Sequence, residues 1–138
     1  MKHEFKQRVY YGDTDAYSVA WHGSYLRWME IARVEFCSAV GIDLVELKKN
    51  DIAIPVTNIN IRYKSSAILD ERITIETTVT KISPLTVTFT QIIKNSETSQ
   101  IHTIGEVEVV AVHNDGKIYR RLPEELKTVL EGAMECKD

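Results

Sequence analysis

Apolar residues recur at helical spacing from about Ser24 to Val40, where Tyr25, Met29, Ala32, Phe36 and Val40 form a stripe that Trp28, Ile31 and Ala39 widen. A stripe that wide predicts a helix buried on more than one side. Gly41 supplies its C-terminal stop, and no proline interrupts it. Ahead of it, Phe5, Gln7, Val9 and Tyr11 alternate with Lys6, Arg8 and Tyr10, compatible with a first strand over 5–11, and Gly12 to Ala20 reads as loop. Behind it, Asp43-Leu44-Val45-Glu46 has the spacing of a capping box and opens a short helix that Asn50 or Asp51 ends. Pro55 returns the chain to extended form.

Period two then takes over. Ile59, Ile61 and Tyr63 mark one strand; Ile73, Ile75, Thr77 and Val79 a second. Leu85, Val87, Phe89 and Ile93 mark a third; Ile104, Val107, Val109, Val110 and Val112 a fourth. Ser65-Ser66-Ala67, Ser83-Pro84, Asn95-Ser96-Glu97 and Asn114-Asp115-Gly116 separate them as turns. A short last strand over 117–121 pairs back across the Asp-Gly turn. Pro123 sits at a favoured first helical position, and Leu126, Val129, Leu130 and Ala133 continue as an amphipathic helix. An antiparallel sheet with one apolar face must cover it, and the only apolar helix large enough is the one over 24–40. The expected class is α+β, a curved antiparallel sheet wrapped on a long central helix.

At 138 residues the chain has the size of one domain, with no second domain expected. Hydrophobic content of 43% and charged content of 27% are those of a soluble globular protein. A net charge of −3 without a clustered basic face argues against nucleic acid. There is no apolar leader and no membrane-length apolar run, so the expected location is the cytoplasm, with no membrane contact. Cys37 and Cys136 share no ligand or redox spacing and read as reduced thiols, Cys37 as a small core residue.

The chemistry concentrates between Tyr10 and Phe36. Asp13, Asp15 and His22 fall within about one loop's length of a helix start. The backbone amides of His22 and Gly23 belong to the unpaired donors of that start, the kind that point at an acyl oxygen. Asp13 reads as structural, orienting the loop by an Asx-type bond. The other histidines, His3, His102 and His113, sit at no spacing that supports a metal site. Neither metal nor cofactor is expected. The chain carries no Walker or dinucleotide cradle and no GxSxG elbow.

Asp13-Thr14-Asp15-Ala16, the pair Val19-Ala20, Trp21-His22, Tyr25-Leu26, Trp28 and Glu30-x-Ala32-Arg33 together resemble the signature of the 4-hydroxybenzoyl-CoA thioesterase family of hotdog-fold acyl-CoA thioesterases. The resemblance extends more weakly through Ile61-x-Tyr63 and Leu69-Asp70-Glu71. It implies a single hotdog domain over 1–138 and cleavage of an acyl-CoA to free CoA and a carboxylic acid. It places the catalytic carboxylate on Asp15, as general base or nucleophile, and the oxyanion donors on the backbone at His22 and Gly23. Tyr25 and Trp28 become candidates to line an acyl tunnel, and Arg62 and Lys64 to meet the phosphates of CoA. The resemblance further implies sheets joined edge to edge in a homodimer or homotetramer, and an acyl-carrier protein as an alternative handle. Where the family usually has glycine this chain has Ser18, which needs the left-handed backbone region at a cost. A non-catalytic acyl-CoA or acyl-carrier-protein binding module on the same fold is the alternative reading.

Overall fold

The computed structural model describes residues 1–136. In chain order they form β1 (Lys2–Arg8), a short 3-10 turn (Tyr11–Asp13), α1 (His22–Ala39), α2 (Leu44–Lys49), β2 (Val56–Tyr63), β3 (Arg72–Ile82), β4 (Thr86–Asn95), β5 (Ile101–Val110) and α3 (Glu124–Glu135). Among the described residues one antiparallel sheet has the order β1-β3-β4-β5-β2. The expected α+β class and its strand sequence are met, with β2 and β1 at the edges.

Alternation explains the layers. Ile73, Ile75 and Val79 of β3, Val87, Phe89 and Ile93 of β4, and Val107 and Val109 of β5 are buried, while Thr88, Thr90, Lys94 and Glu106 alternate with them on the other face. The apolar face packs on α1, whose buried side is Tyr25, Trp28, Met29, Ala32, Phe36 and Cys37. Phe36 meets Phe89 edge-on at 5.6 Å. The helix is therefore buried along one side only: Glu30, Val34, Glu35 and Ala39 face outward, and the stripe is narrower than its composition predicts. Gly105 permits the close crossing of α1 over β5, since a Cβ there would lie 2.4 Å from Met29 Cε.

The helix ends are set as their sequences require. Gly41, at φ 88°, follows α1; its amide donates to Ser38 O at 3.1 Å and that of Ile42 to Cys37 O at 2.8 Å, a Schellman stop. Asp43 caps α2 by accepting from the amides of Val45 and Glu46.

Several boundaries differ from expectation. The first strand ends at Arg8, because the Tyr10 amide donates to Asp13 Oδ2 at 2.9 Å and turns the chain. The expected strand over 117–121 reduces to one bridge between Val112 and Ile118. Pro123 is the N-cap of α3 rather than its first residue. Leu126, Leu130 and Ala133 of α3 join the same core. No helix among the described residues is long and apolar enough to cross a membrane.

Candidate active site

The loop between the 3-10 turn and α1 is a small hairpin. The Asp15 amide donates to Val19 O at 2.9 Å, and the Ser18 amide to Asp15 O at 3.0 Å. Ser18 has φ 65°, the left-handed residue that completes a three-residue hairpin loop. Serine thus holds the conformation glycine would take freely. The Tyr17 amide donates to Asp15 Oδ1 at 2.8 Å, fixing one carboxylate oxygen within the turn. The hairpin is stitched to the loop after β2 by the Ala20 amide, which donates to Ala67 O at 2.8 Å, and by a bridge between Val19 and Ile68.

Asp13 anchors the helix start. It is 5% exposed, and its carbonyl accepts from the Trp21 amide and from Ser24 Oγ, each at 2.8 Å. Its carboxylate accepts from the Tyr10 amide, three residues earlier, where an Asx turn would accept from a residue ahead. His22 is the first residue of α1, two residues earlier than the hydrophobic stripe indicates. The N-cap, Trp21, offers no side-chain acceptor, so the amides of His22 and Gly23 stand ahead of the first bonded one, Ser24 N to Trp21 O at 2.8 Å. A Cβ at Gly23 would fall 2.2 Å from the Trp21 ring, which lies over the helix start, so a larger residue there would displace that ring. Tyr63, from β2, donates its hydroxyl to His22 O at 2.9 Å and fixes this end of α1 to the sheet edge.

A cavity of about 390 Å³ opens here, lined by Asp15, His22, Tyr25, Tyr63, Lys64 and Ser65 among others. Four residues singled out from sequence thus meet: Asp15, His22, Tyr25 and Lys64. Tyr25 is buried, its hydroxyl accepts from the Ala67 amide at 2.9 Å, and its ring stands 5.4 Å from Tyr63. Burial pushes the Tyr25 phenol above its ordinary range, and Glu71, Tyr63 and Asp15 push the same way against the Ala67 bond. Gly23 lies beneath the Trp21 ring, Trp28 has no exposed surface and packs edge-on behind Tyr25 at 5.2 Å, and Arg62 is exposed on β2. None of these three is in the cavity wall. Ser65 and Ser66, read from sequence as turn residues only, are in it.

A larger cavity of about 560 Å³ lies beside α2 and the segment Ile52–Pro55, with Leu44, Leu47, Ile54 and Val112 in its wall. Its wall is mostly apolar, with Lys48, His113 and Asn114 at one side. Cys37 is buried, and burial pushes its thiol up to about 11, with Arg33 opposing, as befits a core residue rather than a nucleophile.

A five-stranded antiparallel sheet curled on one long helix, with a carboxylate hairpin at the helix start, is the hotdog architecture. The family model described as the thioesterase-like superfamily matches residues 9–130, and the chain belongs to that superfamily. The acyl-CoA thioester hydrolase YbgC of Escherichia coli is 34% identical over 105 residues, 76% of each chain. The crystal structure of the DHNA-CoA thioesterase from Staphylococcus aureus superposes with a TM-score of 0.88 at 27% identity, over 95% of this chain and 89% of that one. A 4-hydroxybenzoyl-CoA thioesterase mutant, complexed with 4-hydroxybenzoyl-CoA, shares the fold at a TM-score of 0.83 and 19% identity, over 94% of this chain and 98% of that one.

Proposed function

We propose that the chain hydrolyses acyl-CoA thioesters, releasing free CoA and a carboxylic acid, with Asp15 supplying the attack and the start of α1 holding the oxyanion. The observation that carries this reading is the shared cavity: Asp15 and the first residue of α1, His22, line the same 390 Å³ space. A thioester carbonyl set between them meets a carboxylate on one side and helix-start amides on the other. Asp15 either takes a proton from water or attacks the carbonyl itself, its loop bond from Tyr17 keeping the carboxylate aimed. The amide of His22, which lines the cavity, receives the negative charge that develops on oxygen, and a single such donor is worth about 2.7–4 kcal/mol in comparable sites.

Tyr25 forms the acyl wall, with Trp28 backing it. Lys64 in the cavity wall and Arg62 on the neighbouring exposed strand would meet the CoA phosphates. The described residues share one core, which supports a single hotdog domain. The reaction belongs in the cytoplasm, where acyl-CoA is available.

A second copy completes the site in this reading. β2 is exposed along almost its whole length, with Val56, Ile59 and Tyr63 at 42%, 37% and 45%, a free apolar edge that a soluble protein ordinarily covers. Antiparallel pairing of two β2 edges brings the Pro55 end of one copy toward the Tyr63 end of the other. The partner's larger apolar cavity then extends the acyl site. Sedimentation equilibrium should give a dimer or tetramer; a monomer at micromolar concentration rules the pairing out.

Thiol release from a panel of short, long and aromatic acyl-CoAs tests the function. Turnover of at least one class is expected. Tight binding of acyl-CoA without release of thiol would make the protein a binding module instead.

A further inference from the structure

Behind the cavity wall lies a polar chain of three side chains. A register shift between Ile93 and Lys94 of β4 leaves His102 as the extra residue of β5, and such bulges re-aim a side chain. His102 is 2% exposed, and its Nε2 makes a close contact with Glu71 Oε2. The Glu71 carboxylate also accepts from the Ile68 amide at 3.1 Å and from Asn95 Nδ2 at 3.0 Å, so its orientation is fixed from two sides. The other imidazole nitrogen, Nδ1, is 2.7 Å from Ser65 Oγ, and Ser65 Oγ is 2.8 Å from Ile101 O. Ser65 is the one member of the three that lines the cavity with Asp15 and His22.

Proton counting gives this chain two states. When the Ser65 hydroxyl donates to Ile101 O, Nδ1 must carry a proton to bond Oγ, and a further proton lies between Nε2 and Glu71. When the hydroxyl instead donates to Nδ1, the pair holds one proton fewer. A buried histidine and carboxylate can thus store a proton and deliver it at the hydroxyl, with little movement of any heavy atom.

We propose that Ser65 is a second catalytic residue of this site, a proton donor to the departing thiol, with His102 and Glu71 as the positioning residues that recharge it. The proposal rests on the thioesterase reading above. As the tetrahedral intermediate collapses, the C–S bond breaks and its electron pair goes to sulfur. Sulfur takes the Ser65 hydroxyl proton, and Oγ takes the proton of His102 Nδ1. His102 is left neutral, its one remaining proton on Nε2 and shared with the Glu71 carboxylate. The proton gained by Asp15 from water balances the one lost, and it returns to the pair through solvent once products leave.

The test varies the leaving group. Thioesters of one acyl group are made with N-acetylcysteamine, an alkyl thiol as weakly acidic as cysteine, and with thiophenol, whose thiolate departs without a proton. Ser65→Ala should lower kcat on the alkyl thioester by at least about tenfold and on the aryl thioester by less than about threefold, and Ser65→Thr should restore the alkyl rate. Glu71→Gln carries the same comparison should Ser65→Ala not fold. Equal losses on the two esters, or none, overturn the proposal while leaving the thioesterase reading intact. Asp15→Asn should fail on both esters, and a native protein that cleaves neither overturns both readings.

Discussion

Ser18 carries the clearest residue-scale consequence. At φ 65° it holds a position where a side chain costs about 1–2 kcal/mol, part of which glycine returns through its larger entropy in the unfolded chain. Ser18→Gly should therefore raise the stability measured in urea by roughly 0.5–1 kcal/mol and leave the hairpin, and with it turnover, unchanged. A lower urea midpoint would mean that the serine side chain makes a contribution its backbone does not reveal. At this scale the sequence was informative about some residues and silent about others. Asp15 and His22 lie close along the chain, so their meeting follows from one loop. Ser65, Glu71 and His102 meet only because the β2–β3 connection and a bulge in β5 come together at one end of the sheet, and no spacing records that.

At the scale of elements, the period-two segments and the helix were legible because alternation and the 3.6-residue repeat report directly which side is buried. What was less legible was how far burial extends. Ile59 and Tyr63 alternate like a covered strand, yet β2 is an edge, and Ala39 extends the helix stripe while facing outward. Apolar composition does not say whether the covering surface is the same chain or another copy. The sheet's polar face has its own electrostatics. Burial acts to raise the Glu76 carboxyl, but Lys2 at 2.9 Å and Lys94 at 3.1 Å outweigh it and hold it below its ordinary value. A carboxyl lowered by folding stabilises the folded state fully above its unfolded pKa, near 4.5, and that contribution fades as pH falls toward the folded value. Glu76→Gln should accordingly lower the melting temperature at pH 7, with the gap to the native protein narrowing as the pH falls below the unfolded value of 4.5. A gap that stays constant over that range would mean the loss is packing rather than charge.

At the scale of the whole molecule, the fold arranges a division of labour. The rigid sheet and α1 hold the helix-start donors, a strained hairpin holds the carboxylate, and the loop after β2 closes the cavity wall. An open β2 edge leaves room for a second copy to supply depth. Acyl preference is the property least legible in a single chain, because the wall that decides it includes surface beyond one protomer in this account. Cleavage at Asp15 is open to a simpler check: the kcat of thiol release from the best acyl-CoA for the native protein beside Asp15→Asn, with melting curves to establish that both are folded. A fall of roughly 10²–10⁴ is expected, and more if the carboxylate is the nucleophile. A folded Asp15→Asn protein that turns over at the native rate would place the attacking group on another residue.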